Sequence, residues 1–140
     1  MDNHTQEQRH YNMSQIKSKN TKPEDFVRKY LFANGFRFRK NDKRYAGHPD
    51  IVLPKYKTII FINGCFWHMH DCKDFVLPKS NLEYWIPKLE RNKRRDESNI
   101  HLLQSEGWHV IIIWECELKT VSARKFRMEQ LIQELKSQKP

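Results

Sequence analysis

The spacing of apolar residues changes along the chain, and each change predicts an element. Phe26, Val27, Tyr30 and Leu31 recur at three- and four-residue intervals, one face of a helix. Thr21-Lys22-Pro23-Glu24 reads as its start: Thr21 can cap, Pro23 is accepted in a first turn, and Glu24 stands where a capping-box carboxylate belongs. Asn34-Gly35 ends it. The period then falls to two. Residues 36–40 alternate like a half-buried strand, 41–48 are turn-rich, and 49–53 form a second strand. Pro54-Lys55-Tyr56-Lys57 predicts a hairpin turn that returns the chain through 58–62, uncharged and rich in β-branched residues, as a buried central strand. Ser80-Asn81-Leu82-Glu83 reads as a second capping box, opening a long helix to about Ser105 with Pro87 kinking it near its start. Gly107 stops that helix. Residues 109–115 give another buried strand, and 122–135 a last helix with Phe126, Leu131, Ile132 and Leu135 on one side. The order α-β-β-β-α-β-α, with hydrophobic strands between helices, predicts an α/β fold: a mixed sheet flanked by helices.

Size and charge narrow this picture. A chain of 140 residues suits one domain. Residues 21–140 read as that domain, and 1–20 as a flexible N-terminal arm without periodicity. Tyr11, Met13 and Ile16 are the arm's apolar handles, so a free tail and an arm that orders on a partner both stay open. The balance of 26 Lys+Arg against 17 Asp+Glu, net +9, points to a polyanionic partner, most commonly nucleic acid. Within the long helix, residues 90–99 contain no apolar side chain, and Arg91, Lys93, Arg94 and Arg95 cluster there in a way that suits phosphate contacts. No apolar h-region opens the chain and no apolar run approaches ~18 residues, so neither a signal peptide nor a membrane span is expected.

The candidate chemistry begins where the central strand breaks at Asn63-Gly64. Cys65, His70 and Cys72 form a C-x4-H-x-C cluster, and Cys116 is available as a fourth ligand of a closed tetrahedral zinc site. Three cysteines, all in or near this cluster, argue for a reducing intracellular compartment with thiols kept for metal rather than for disulfides. His68 sits inside the cluster but is surplus to four-coordination. Phe66-Trp67 is trapped between ligands, where core packing is a weak explanation. Asp50 is an acid at the mouth of a buried strand, for which a turn aspartate is the plain alternative.

Gly47-His48-Pro49-Asp50, residues 61–72, Glu83-x-Trp85, residues 92–96 and Gly107-Trp108-x-Val110-x-Ile112-x-Trp114-Glu115-Cys116 together resemble the very short patch repair endonucleases, strand-specific nickases acting on T:G mismatches. The likeness runs from about Met13 to Leu118. It implies a restriction-endonuclease-like fold with a structural zinc held by Cys65, His70, Cys72 and Cys116. It further implies Mg²⁺ on the Asp50 carboxylate and the Ile62 main-chain carbonyl, His68 as the base, Asp96 orienting it, and Glu24 as a carboxylate near the metal waters. On sequence alone Glu24 reads as a helix cap before a catalyst, and the resemblance brings the two readings level. Phe66, Trp67 and Trp85 match an aromatic wedge entering the duplex beside the mispair, joined in the DNA interface by Met13 and the four cations. The implied partners are double-stranded DNA with a T:G mismatch, general mismatch-repair proteins and a cytosine methyltransferase. The implied form is a monomer at the nucleoid in the bacterial cytoplasm. One departure falls at Ile62-Asn63, where a well-known nickase of this kind has Thr-His. A carbonyl ligand is indifferent to its side chain, but Asn63, which can still hydrogen-bond a phosphate or water, cannot carry a proton, so either activity is lower or all acid–base work falls to His68. A restriction-like or homing nuclease cutting intact sites, and a non-catalytic zinc-stabilised DNA-binding module, are the competing readings.

Overall fold

The computed structural model describes residues 22–73 and 75–138. Among these, the chain runs α1 (Lys22–Ala33), β1 (Arg39–Lys40), β2 (Ile51–Leu53), β3 (Thr58–Asn63), α2 (Leu82–Ser105), β4 (His109–Trp114) and α3 (Val121–Ser137). The strands form one sheet in the order β1-β2-β3-β4. The first three pair antiparallel, and β3 and β4 pair parallel over six residues, Thr58↔His109 to Asn63↔Trp114. A parallel pair requires a long crossover, and α2 supplies it.

Period-two alternation sorts the sheet's side chains into two cores. Ile51, Leu53, Ile60, Ile62, Ile111 and Ile113 pack with Val27 and Leu31 of α1 and with Met128, Leu131 and Leu135 of α3. Val52 and Ile59 face the other way, onto Leu103 of α2, with Phe61, Trp108 and Val110 around them. The predicted α/β sandwich is therefore present: two helices cover one face of a mixed sheet and one covers the other.

Several expected details differ. Strand pairing before the hairpin is confined to Arg39–Lys40 because the chain leaves α1 through a Schellman closure. Gly35 takes φ 87°, its N–H donates to the Phe32 carbonyl at 3.0 Å, and the Phe36 N–H reaches the Leu31 carbonyl at 3.0 Å. That closure turns Phe36 into the core instead of along a strand. The cap of α2 is Asn81, at φ 60°, one residue after the Ser80 expected, and its side chain makes no cap hydrogen bond. Pro87 lies inside α2 without ending it. On α3 the buried stripe runs Met128, Leu131, Leu135 with Arg127, which leaves Phe126 on the far side, 63% exposed. The Arg127 guanidinium donates to the Ile112 carbonyl at 3.3 Å and pairs with Glu117 at 3.1 Å, which is how a cation occupies that stripe. Thr21, Met13 and the proposed arm lie outside the described residues.

Candidate active site and metal centre

The start of β2 and the end of β3 meet at one end of the sheet, because the two strands are antiparallel neighbours. A cleft of about 150 Å³ opens there, lined by Gly47, His48, Asp50, Phe61, Ile62, Asn63, His68, Asp96, Asn99 and Ile100. Four separate stretches of sequence contribute: the turn before β2, the end of β3, the loop after it, and the middle of α2.

Asp50 is anchored by the strand beside it. Its Oδ2 accepts the Ile62 N–H at 2.7 Å. A strand residue's N–H and C=O point to the same side, so the Ile62 carbonyl faces the Asp50 edge as well. Burial pushes the Asp50 carboxyl up to about 7; the Ile62 N–H opposes that rise, and the touching Glu24 carboxyl adds to it. Glu24 itself is 2% exposed, touches Asp50 and is not among the residues that line the cleft. Arg28, one turn along α1, ties this corner together, donating to Glu24 at 3.2 Å, to the Asn41 side chain at 3.1 Å and to the Asp50 carbonyl at 3.3 Å. A buried carboxylate carrying a second acid beside it, with a carbonyl alongside, is a hard-oxygen site that suits a small divalent cation.

His68 Nδ1 makes a short hydrogen bond to Asp96 Oδ2, both side chains partly buried. A carboxylate on Nδ1 fixes the ring and leaves Nε2 as the free, basic nitrogen. Asn63, at the strand end, lies across the same cleft.

Residues 64–73 have no helix or strand, and their shape comes from local hydrogen bonds. The His70 N–H donates to the Cys65 carbonyl at 3.0 Å and the Cys72 N–H to the His70 carbonyl at 2.9 Å. Met69 takes a left-handed turn, φ 50°. These bends bring the ligand atoms of Cys65, His70 and Cys72 together with Cys116, delivered just past β4, all within 4.8 Å of one another. The Cys116 Sγ to His70 Nδ1 separation is 3.5 Å. Tetrahedral zinc with ordinary bond lengths gives an N···S edge of about 3.6 Å. The three sulfurs and one imidazole therefore fit a closed zinc site. Burial pushes the Cys65 thiol up to about 12, a penalty that a cation bound to the sulfur would reverse. The His70 ring stacks on Trp114 at 3.9 Å between centroids, which pins the imidazole from behind.

Beside this centre lies an aromatic cluster. The Phe66 ring contacts Trp67 at 5.1 Å and Trp85 at 5.5 Å, and Trp67 lies 6.0 Å from Trp85. All three are only partly buried, unlike core rings. Tyr84, 57% exposed, and Phe75 extend the group, and the Lys88 ammonium lies within 5.9 Å of the Trp67, Tyr84 and Trp85 rings. Arg91, Lys93, Arg94 and Arg95 are exposed along α2. The structure thus brings together Asp50, Ile62, Asn63, His68 and Asp96 in the cleft, with Glu24 against Asp50 and the Cys/His cluster and the aromatic group on the loop that carries His68 and on α2. Sequence reasoning assigned no role to Arg28, Lys88, His48 or Asn99. For Arg28 the available signal was a cation four residues from Glu24.

The chain matches the family described as DNA mismatch endonuclease Vsr over residues 1–74. It is 51% identical over 132 residues to the type II nicking enzyme V.NmeAIP of Neisseria meningitidis serogroup A, covering 94% of each chain. To the type II nicking enzyme V.XorIIP of Xanthomonas oryzae it is 45% identical, covering 90% of this chain and 93% of that one. To the DNA mismatch endonuclease Vsr of Escherichia coli K12 it is 39% identical, covering 84% and 76%. The cleft, the Cys/His cluster and these likenesses agree, and the chain belongs to the Vsr family of restriction-endonuclease-like DNA endonucleases.

Proposed function

We propose that this endonuclease nicks one strand of duplex DNA on the 5′ side of the T in T:G mispairs left by deaminated 5-methylcytosine, in a Mg²⁺-dependent hydrolysis. The convergence of Asp50, the Ile62 edge and the His68–Asp96 pair in one cleft, on a chain that also carries the partly buried rings of Phe66, Trp67 and Trp85, is the observation that carries the reading.

Asp50 and the Ile62 carbonyl would hold Mg²⁺, which when bound supplies charge stabilisation to the phosphate. Glu24 acts through its contact with Asp50, adjusting the charge of that corner, while Arg28 holds the two elements in register. His68 Nε2 takes the proton of the attacking water, and Asp96 stabilises the imidazolium that forms. Asn63 offers an amide hydrogen bond to phosphate or water and moves no proton. Cys65, His70, Cys72 and Cys116 would hold a structural zinc, and the four side chains so joined would tie the loop carrying His68 to the end of β4. Phe66, Trp67 and Trp85 enter the stack at the mispair, at a cost of a few kcal/mol per step that is lowest where pairing is already weak. Arg91, Lys93, Arg94 and Arg95 grip the backbone. On this reading the protein acts as a monomer on nucleoid DNA in a bacterial cytoplasm, downstream of a cytosine methyltransferase and alongside general mismatch-repair proteins. Among the described residues no helix is long and apolar enough to cross a membrane.

The test is incubation of the purified protein and Mg²⁺ with a T:G duplex and its matched T:A control. Nicking of the mispaired duplex alone is expected. Cutting of both duplexes would favour a nuclease of intact sites, and cleavage of neither would leave a zinc-stabilised binding module.

A further inference from the structure

His48 lines the cleft beside Asp50, Asn63, His68 and Asp96, and the scheme above gives it nothing to do. Its backbone is left-handed, φ 51°, directly after Gly47 at φ 78°. The turn is closed by the His48 N–H donating to the Tyr45 carbonyl at 3.1 Å. Left-handed backbone is adopted freely by glycine and under strain by residues with a Cβ. A glycine would therefore serve this turn at least as well, and what the imidazole adds must be sought in the cleft.

The cleft is short of donors. Two carboxylates line it, Asp50 and Asp96, and among the described lining residues there is no lysine or arginine, although the chain carries a net charge of +9. A phosphodiester passing through a pentavalent state accumulates negative charge on its non-bridging oxygens, and preorganised N–H groups aimed there are the usual means of stabilising it. His68 has committed Nδ1 to Asp96. Asn63 and Asn99 bring neutral amides. Among the described lining residues, His48 is the other ring that can donate.

We propose that His48 is a further substrate-contacting residue, whose ring N–H hydrogen-bonds a non-bridging oxygen of the phosphate being cut and fills the place a lysine or arginine would otherwise take. The inference rests on the nicking reading above. No proton is transferred through it: the attacking water's proton goes to His68, and an imidazole has an N–H to donate in either protonation state. Because the charge it meets is greatest in the transition state, its loss falls on kcat more than on KM.

The test uses the full zinc-loaded chain as wild type, H48G and H48R, with single-turnover nicking of a T:G duplex and a thermal melt of each protein. H48G should melt at or above the wild-type midpoint and nick about ten- to a hundredfold more slowly, with KM little changed. H48R should recover most of that rate. Sulfur in place of one non-bridging oxygen should slow the wild type for one diastereomer and add no further slowing to H48G. A wild-type rate in H48G overturns the proposal. So does a fall in midpoint that tracks the fall in rate, or a sulfur effect that H48G shows in full. A wild type that leaves the mispaired duplex intact overturns the parent reading and this one with it, whereas a fast H48G beside an active wild type overturns this one alone.

Discussion

Replacing Asp50 by Asn should make the protein more stable in the absence of divalent cation while abolishing its chemistry. The substitution keeps the shape: an amide oxygen still accepts the Ile62 N–H, and the amide nitrogen can donate to Glu24. What it removes is the charge. Burial, with Glu24 adding, raises the Asp50 carboxyl from its ordinary 3.8 to about 7. At 1.36 kcal/mol per pKa unit that rise is worth ~4 kcal/mol as a ceiling, and the solvent that still reaches this partly buried carboxyl reduces it to about 1–3 kcal/mol. The sign follows from the raised folded-state value. The folded protein binds the Asp50 proton more tightly than the unfolded chain does, so this contribution is complete below pH 3.8 and is lost as pH rises through about 7. Thermal melts of wild type and Asp50→Asn in cation-stripped buffer, with the zinc left in place, should therefore diverge between pH 4 and 8 in favour of the variant. Added Mg²⁺ should then raise the wild-type midpoint and leave the variant's unchanged. A variant that is no more stable than wild type at pH 8, with a difference independent of pH, would refute the claim that Asp50 is held desolvated for a cation.

Three further outcomes follow from the same geometry. His68→Ala should lower mismatch nicking by about 10²–10⁴-fold, and Asp96→Asn by a smaller factor because it misorients the ring without removing the base; single-turnover rates distinguish them. Cys65→Ser should lower the thermal midpoint by on the order of 10 °C and release bound zinc, read by metal analysis alongside the melt. Trp67→Ala should erase the preference for T:G over T:A duplex with little change in the salt dependence of binding, whereas Arg94→Ala should reduce the log–log salt slope by about 1 for both duplexes.

Hydrophobic period made the sheet legible, since Ile60 and Ile62 had to face one way and Ile59 and Phe61 the other once the stretch was read as a buried strand. The Cys/His cluster that could hold a metal was legible from residue type, because two thiols and an imidazole crowded into one loop, with a further thiol past the last strand, have few other uses. The corner around Asp50 was not. Its carboxyl is raised first by burial, then adjusted by an N–H of the neighbouring strand and by Glu24 on a different element, a setting that no local pattern encodes. Phe126 misled because aromatic character suggested burial, while the stripe through Met128, Leu131 and Leu135 had already fixed which side of the helix was covered. His48 left no periodic trace at all: its place in the cleft depends on a left-handed turn that visits the active end of the sheet.

Both members of the proposed proton-accepting pair, both ends of the wedge and three of the four metal donors lie within the single excursion that leaves β3 and comes back as β4. One face of the sheet beneath is closed by its own strands with α1 and α3, and the excursion covers the other face through a small core, Leu103 on Val52 and Ile59. That excursion is therefore a cassette. Exchanging it wholesale between related nickases, at the junctions Asn63 and His109, should transplant sequence preference together with the base that serves it, while the carboxylate corner stays behind with the host.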